Sequence, residues 1–429
     1  MALRRLIKVD INSKIFKRWS LILCALLVFT IPYENKFSNI ALILLGANFI
    51  FLAPKNQIKL LLKNYGFGAM LLFVSLFLFG LVWIEPGLLI NYYERIGKAI
   101  LLMVVPILLY PMLNTLNHNS LKFLLVIFGA SIIFGLSLNY FAAFFLNSDS
   151  ESRILYHQFT IGMGGIHPAY LSLFCAFSIF IFLELFWTAV GWKNRLLPLL
   201  ATVYLFVSML TISARMPLVA LVLGLCVYFF WKLKNTGSIK RGWLISIFFL
   251  LSVLIAYMLV DKGQVNLFLD RFFRNVKFSM VTRLETWQCA LDIYFNQGNW
   301  FFGLGSGNVQ SYLNDCYKQN YLTKQYFSHY NAHNEYLSIL VRNGISGLAS
   351  WILVLLYGFY KSISRNNVIG FLFLFLFAIS ILTEVYLNRI IGVLFFATFY
   401  TILIIIGFDG KMKSKVQIVN TPRLEKQKK

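Results

Sequence analysis

Apolar residues fill long runs along most of the chain, and short polar segments separate these runs. A helix of about 20 apolar residues crosses the hydrocarbon core of a bilayer and satisfies its own backbone hydrogen bonds. The pattern therefore predicts an all-α integral membrane protein with about twelve transmembrane helices. The predicted spans are 19–33, 38–54, 67–84, 97–114, 122–146, 166–188, 196–211, 215–232, 243–261, 335–359, 367–384 and 390–408.

The placement of lysine and arginine orients these helices. Basic residues gather in both termini and in every second short segment between spans, as expected for segments that face the cytoplasm. The basic start of the chain leads to no small-residue cleavage site, so the first apolar run is predicted to be a span. Residues 1–261 then hold nine helices, 262–334 form one large outer loop with surface helices, 335–408 hold the last three helices, and 409–429 form a basic cytoplasmic tail.

Composition supports a membrane protein and argues against a nucleic-acid-binding one. Hydrophobic residues make up 59% of the chain and charged residues 13%, well below the charged share of soluble domains. The net charge of +23 comes mostly from the segments between spans, where membrane topology explains it. The cysteines match neither a disulfide framework nor a zinc spacing. Cys289 and Cys316 lie in the outer loop, where a disulfide is allowed but not required.

Two arginines are candidates for anion binding, since a charge at a membrane span is costly and often functional. Arg215 lies in the turn between the seventh and eighth predicted spans, and Arg283 lies in the outer loop. Near Arg283, Leu284, Trp287 and Leu291 recur at helical spacing, which predicts a helix along the membrane surface. Structural roles stay open for both arginines, because a long cationic side chain also reaches the interface or covers apolar surface.

His333 is the candidate general base. Asn331 is the predicted N-cap of the tenth span, which places His333 in the first helical turn. The positive end of the helix dipole disfavours imidazolium, and neutral imidazole is the form that a general base needs. His329 is four residues away, so a metal pair is conceivable, but no third ligand is evident and no metal is predicted.

Other polar residues lie near the outer ends of spans or in the outer loop. They are His167 before the sixth span, Glu384 and Arg389 between the last two spans, and Arg274 in the outer loop. Glu384 and Arg389 are expected to pair and close a helical hairpin. The glycine-rich stretch 302–308 is predicted to form a tight turn and not a phosphate cradle, because no strand–turn–helix unit surrounds it.

Three features, in this order, resemble the O-antigen ligase and polymerase superfamily of bacterial inner-membrane glycosyltransferases. They are the Ser-x-Arg turn of Ser213 and Arg215, the stretch from Arg283 through Trp287 to Phe302-Gly303-x-Gly305, and His333-Asn334-x-Tyr336-Leu337 followed by Gly344-x-x-Gly347. The family often has its serine and arginine adjacent, whereas Ala214 intervenes here.

The resemblance implies a GT-C-like membrane fold with a periplasmic loop above the site and cytoplasmic termini. It implies an undecaprenyl-diphosphate-linked glycan as donor and, in ligases, lipid A–core oligosaccharide as acceptor, without a metal or other cofactor. Carried over motif by motif, the catalytic residues are His333, Arg215 and Arg283. His333 is expected to activate the acceptor hydroxyl while the arginines hold the diphosphate. Candidate substrate contacts are Arg274, His167, Arg389 and Asn334.

A ligase of lipopolysaccharide biosynthesis is the favoured function, and three alternatives stay open. Polymerases of this superfamily often carry two sizeable outer loops, whereas one loop dominates here. A glycolipid transporter would show charges near the bilayer midplane and inverted repeats, but the ionisable residues of this chain gather at one face. A protein O-oligosaccharyltransferase would need a protein acceptor, which nothing in the loop identifies.

Overall fold

The computed structural model describes residues 14–52, 55–83, 89–145, 163, 165–212, 214–236, 280–296, 299–305 and 307–407. These residues are almost entirely helical, and the predicted all-α class is confirmed for them. The helices are α1 (Lys14–Thr30), α2 (Asn35–Leu52), α3 (Lys55–Leu62), α4 (Tyr65–Phe79), α5 (Leu89–Leu113), α6 (His118–Phe145), α7 (Pro168–Thr188), α8 (Trp192–Ile212), α9 (Arg215–Thr236), α10 (280–296), α11 (Val309–Gln319), α12 (Thr323–Phe327), α13 (Glu335–Ser364), α14 (Val368–Ser380) and α15 (Ile390–Tyr400). Short 3₁₀ turns follow α4 (Gly80–Trp83) and precede α15 (Tyr386–Asn388), and a π-helical segment, Thr401–Gly407, continues α15.

The helices are those of a multi-pass membrane protein. Among the described residues, seven are long and apolar enough to cross a bilayer, or eight if α3 and α4, bent by 73°, form one span. Large apolar side chains such as Ile43, Leu197 and Phe230 lie exposed on their outer surfaces, as lipid-facing positions require. A helix covers each predicted span except 243–261, which lies outside the described residues. The count of twelve spans stays a prediction.

An aromatic core joins α6, α7, α14 and α15. The rings of Phe128, Phe177, Phe373 and Phe399 are buried and contact one another, with centroid distances of 4.7 Å for Phe128–Phe399 and 5.4 Å for Phe177–Phe373. Such contacts stabilise the core beyond the burial of apolar area. The core therefore fixes the positions of the ends of these helices.

Helix α13 is broken at Gly344, where the glycine-rich stretch packs against it. Gly344 has a φ of +63°, and a Cβ at this position would collide with the backbone of Phe301. Four backbone hydrogen bonds of 2.9–3.1 Å join the two segments: Leu304 and Gly305 donate to Val341 and Arg342, and Ile345 and Ser346 donate to Trp300 and Phe301. The turn predicted for this stretch thus satisfies backbone groups that the break would otherwise leave unpaired.

The described part of the predicted outer loop has a small core of its own. Helix α10 confirms the helix predicted there, but its buried face carries Cys289, Ala290 and Ile293, while Leu284 and Leu291 are exposed. A disulfide joins Cys289 to Cys316 and so links α10 to α11. The exposed apolar face agrees with a helix on the membrane surface, and that orientation stays a prediction.

Candidate active site

His333 lies just before α13 and not in its first turn, so the predicted cap is wrong. The Asn331 side chain accepts a hydrogen bond from the His333 N–H at 2.8 Å and closes a local turn. Asn334 is the N-cap instead, since its side-chain oxygen accepts from the Leu337 N–H at 3.2 Å. His333 adopts a φ of +45°, a left-handed conformation that is costly for residues other than glycine and concentrates at functional sites.

The imidazole of His333 faces the carboxylate of Glu384. The Nδ1–Oε2 distance is 3.5 Å, and the side chains are 27% and 14% exposed. The ring of Tyr330 packs against the imidazole at 5.3 Å and nearly at a right angle. The predicted Glu384–Arg389 pair is wrong, because the 3₁₀ turn Tyr386–Asn388 separates the two residues. Arg389 lies over the ring of Tyr170 instead, at 5.9 Å.

Glu384 is a carboxylate at physiological pH. Burial by itself would raise its pKa, but the hydrogen bond and charge of His333, and then the charge of His167, outweigh burial and lower the pKa to about 2. The His167 side chain also caps α7 by accepting the Ala169 N–H at 3.3 Å. His167 and His333, predicted separately from the sequence, therefore share one carboxylate as their electrostatic partner.

Reciprocal tyrosine contacts fasten the turn that carries Glu384 to the start of α7. The Tyr170 hydroxyl donates to the Val385 carbonyl at 2.9 Å, and the Tyr386 hydroxyl donates to the Ala169 carbonyl at 3.0 Å. Gly392 has no space for a Cβ, which would collide with the Tyr386 carbonyl. The starts of α7, α13 and α15 are thus held together, and we call this the His333 end of the bundle.

A buried ion pair, Glu335–Arg342, lies in the first two turns of α13, next to the His333 end. Arg342 donates from Nη2 to Glu335 at 2.8 Å and from Nη1 to the Asn388 side chain at 2.8 Å, and the other oxygen of Glu335 accepts the Leu387 N–H at 2.7 Å. The pair joins the start of α13 to the turn before α15. Sequence analysis missed Arg342, although a signal was present. A basic residue inside a predicted span, two helical turns after an acidic one, predicts an intrahelical partner.

Arg215 is half-buried at the first position of α9. Near the other end of this helix, Trp231 donates to the Asn366 side chain at 3.0 Å and its ring contacts Phe371. Helices α9 and α14 therefore run antiparallel, so Arg215 lies on the side of the bundle towards which the C-terminal end of α14 points. Its contact with a substrate stays a prediction.

Arg283 is half-buried near the start of α10. By helical spacing it shares the face of Thr286 and Ala290, which packs into the loop core together with Ala332, the residue before His333. Among the other predicted contacts, Asn334 is buried as the helix cap, and Arg274 lies outside the described residues.

No group of three His, Cys, Asp or Glu side chains within the described ranges is arranged to hold a metal ion. The imidazole of His329, considered above with His333 as a metal pair, contacts the amide of Asn314 at 3.0 Å.

Part of the chain is similar to a known protein family. No curated protein matches the chain. Residues 200–352 match the family model described as O-Antigen ligase. The matched segment contains Arg215, Arg283 and His333 and extends through Arg342 and the break at Gly344, whereas Glu384 lies beyond it. This match supports the resemblance of the segment to the O-antigen ligase and polymerase superfamily.

Proposed function

We propose that this protein is an O-antigen ligase that transfers a glycan from undecaprenyl diphosphate to lipid A–core oligosaccharide. The observation that carries the proposal is the His333–Glu384 pair at one end of a membrane bundle, in which His333 belongs to the segment that matches the ligase family. A partly exposed histidine with a carboxylate partner is the arrangement that general-base catalysis uses.

The pair accounts for activation of the acceptor. Because Nδ1 of His333 faces Glu384, Nε2 is the nitrogen that takes the proton of the acceptor hydroxyl. The carboxylate orients the ring and stabilises the imidazolium that forms, as in other histidine–carboxylate pairs. Proton transfer to a positioned base contributes about 10²–10⁴-fold to the rate.

Arginines account for departure of the carrier. The acceptor oxygen bonds to the anomeric carbon of the glycan while the bond to the diphosphate oxygen breaks, and the diphosphate leaves with the electron pair. Guanidinium groups stay charged and bind phosphate oxygens in a bidentate manner. In this proposal Arg215 and Arg283 hold the diphosphate without a metal. Arg274, His167 and Arg389 are further contacts with the substrates.

Two features support a periplasmic site on a bacterial inner membrane. The Cys289–Cys316 disulfide lies in the loop above His333, and structural disulfides form and persist on the oxidising side of a membrane. The distribution of lysine and arginine independently favours cytoplasmic termini.

The test is a transfer assay with purified full-length protein in lipid nanodiscs with EDTA. It supplies undecaprenyl-diphosphate-linked glycan and lipid A–core, and it compares wild type, His333→Ala and His329→Ala. We expect wild type to ligate, His333→Ala to lose about 10²–10⁴-fold in rate, and His329→Ala, the matched control from the same loop, to keep its activity. Lengthening of the donor glycan instead would identify a polymerase, and transfer to neither acceptor would contradict the proposal.

A further inference from the structure

Tyr330 contacts the imidazole of His333 with its ring. The two ring centroids are 5.3 Å apart and the ring planes meet at 83°, which is the edge-to-face arrangement that aromatic rings favour. The contact of the imidazole with Glu384, 3.5 Å between Nδ1 and Oε2, is long for a hydrogen bond. It therefore does not by itself fix the rotation of the imidazole about the Cβ–Cγ bond. The ring of Tyr330 supplies a second contact that restricts this rotation.

The loop core holds the backbone of Tyr330 through both of its polar groups. The Tyr330 N–H donates to the carbonyl of Gln325 in α12 at 3.0 Å, and the Tyr330 carbonyl accepts from the side chain of Gln310 in α11 at 3.1 Å. The backbone is left-handed on each side of Tyr330, with a φ of +48° at His329 and of +45° at His333. Such conformations are costly for these residues and persist only where the surrounding contacts determine them. The two hydrogen bonds to Tyr330 are contacts of this kind.

These two glutamines also connect Tyr330 to α10, the helix that carries Arg283. The glutamine of α12 donates from its side chain to the carboxylate of Glu285 in α10. The glutamine of α11 belongs to a helix that the Cys289–Cys316 disulfide joins to α10. Two separate routes therefore connect α10 to the backbone of Tyr330. The helix with the candidate arginine and the ring that packs against the candidate base are held in one unit.

We propose that Tyr330 is a positioning residue for His333. Its ring keeps the imidazole directed at Glu384, and the loop core sets the place of that ring relative to Arg283. Tyr330 acts through the histidine, so removal of its ring lowers the rate of the chemical step and not the binding of the substrates. A small misplacement of a catalytic group costs up to about 10²-fold in rate. The role in glycan transfer rests on the proposed function, whereas the restraint on the imidazole does not.

The first test measures glycan transfer by purified full-length protein in lipid nanodiscs. It compares wild type, Tyr330→Leu, Tyr330→Phe and the matched control Tyr326→Leu. Tyr326 is also half-buried and lies in the same loop, but its ring contacts Phe327. We expect Tyr330→Leu to lower kcat about 10–100-fold and to leave KM for both substrates unchanged. Tyr330→Phe should recover most of this loss because it retains the ring, and Tyr326→Leu should transfer as wild type does.

The second test needs no transfer and measures the restraint on the imidazole directly. Diethyl pyrocarbonate, which modifies neutral imidazole, is applied without substrate, and modification of His333 is quantified by mass spectrometry against His118 of α6. Wild type is compared with Tyr330→Leu, with Gln310→Ala and with the matched control Gln319→Ala, an exposed residue of the same helix as Gln310. Gln310→Ala keeps the ring but removes the hydrogen bond to the Tyr330 carbonyl, so it applies even if Tyr330→Leu does not fold. We expect His333 to be modified several-fold faster in Tyr330→Leu and in Gln310→Ala, and at the wild-type rate in Gln319→Ala.

Each outcome decides the proposal. A wild-type rate of transfer in Tyr330→Leu, or equal losses in Tyr330→Leu and Tyr326→Leu, would overturn it. A loss in Tyr330→Phe as large as that in Tyr330→Leu would assign the effect to the hydroxyl and would also overturn it. Unchanged modification of His333 in both Tyr330→Leu and Gln310→Ala would do the same. Wild type that transfers no glycan, together with faster modification of His333 in these variants, would refute the proposed function and leave the restraint on the imidazole intact.

Discussion

Two carboxylates lie near the start of α13, and their environments differ. Glu335 is fully buried, and both of its oxygens are engaged by Arg342 and by the Leu387 N–H. Glu384 is 14% exposed, and its partners are the neighbouring Val385 N–H and the imidazole of His333. Arg342 has no other charge state to adopt in a protein, whereas imidazole exchanges a proton near physiological pH.

This difference indicates a structural role for the Glu335–Arg342 pair and a chemical role for the His333–Glu384 pair. A buried ion pair is weak evidence for net stability, but removing one partner leaves an uncompensated charge in a dry environment. Glu335 and Arg342 therefore fix the turn before α15 in one position. Glu384 lies on that same turn but faces a histidine that remains partly accessible. The Glu335–Arg342 pair, here called the rigid pair, thus positions the His333–Glu384 pair, here called the reactive pair. Substitutions in each pair test the two roles separately.

The largest expected effect comes from the rigid pair. Arg342→Ala leaves Glu335 buried and unpaired, so we expect a loss of about 3–5 kcal/mol in the free energy of unfolding. Denaturant unfolding of the purified protein in detergent measures this loss. The double variant Glu335→Gln/Arg342→Met should recover part of it, because no buried charge remains. Arg389→Ala, which removes an exposed arginine near the same turn, should change the free energy by less than about 1 kcal/mol.

Substitutions in the reactive pair should lower the rate of glycan transfer more than they lower the free energy of unfolding. We expect Glu384→Gln to slow glycan transfer about 10–100-fold, because the amide holds the imidazole of His333 less well in its productive tautomer. The free energy of unfolding should change by about 1 kcal/mol or less, since the pair is partly exposed. In a double-mutant cycle, His333→Ala/Glu384→Gln should be hardly slower than His333→Ala. Destabilisation as large as that of Arg342→Ala would remove the distinction between the two carboxylates.

The bundle and its candidate residues were predictable from sequence for a definite physical reason. Apolar runs long enough to cross a bilayer mark helices independently of tertiary structure. Because charge in a membrane is costly and usually functional, the ionisable residues at the ends of these runs are candidates for function, namely His167, Arg215 and His333. The helix around Arg283 was also predictable, because apolar spacing identifies a helix even where it does not identify the buried face.

The pairing of side chains was not predictable in the same way. Two partners for Glu384 are possible from the sequence: Arg389, five residues later, and His333, which is distant in sequence. The conformation of the turn Tyr386–Asn388 determines which of them Glu384 contacts. The two asparagines Asn331 and Asn334 are equally good caps, so the choice between them depends on the turn that Asn331 makes with His333. The break at Gly344 depends on a loop that donates to one half of α13 and accepts from the other, which no local propensity encodes.

The smallest expected effect is the pH dependence of the reactive pair. The pKa of Glu384 in the folded protein is about 2, below the value of about 4.3 for an unfolded glutamate. Because the folded-state pKa is lowered, the stabilisation from Glu384 is complete above about pH 5 and is lost as the pH falls from about 4.5 towards 2. We expect the difference in unfolding temperature between wild type and Glu384→Gln to persist from about pH 7 to 5 and to shrink towards about pH 3. A difference that vanished between about pH 7 and 5 would show that Glu384 is protonated in the fold, and the carboxylate partner of His333 would have to be sought elsewhere.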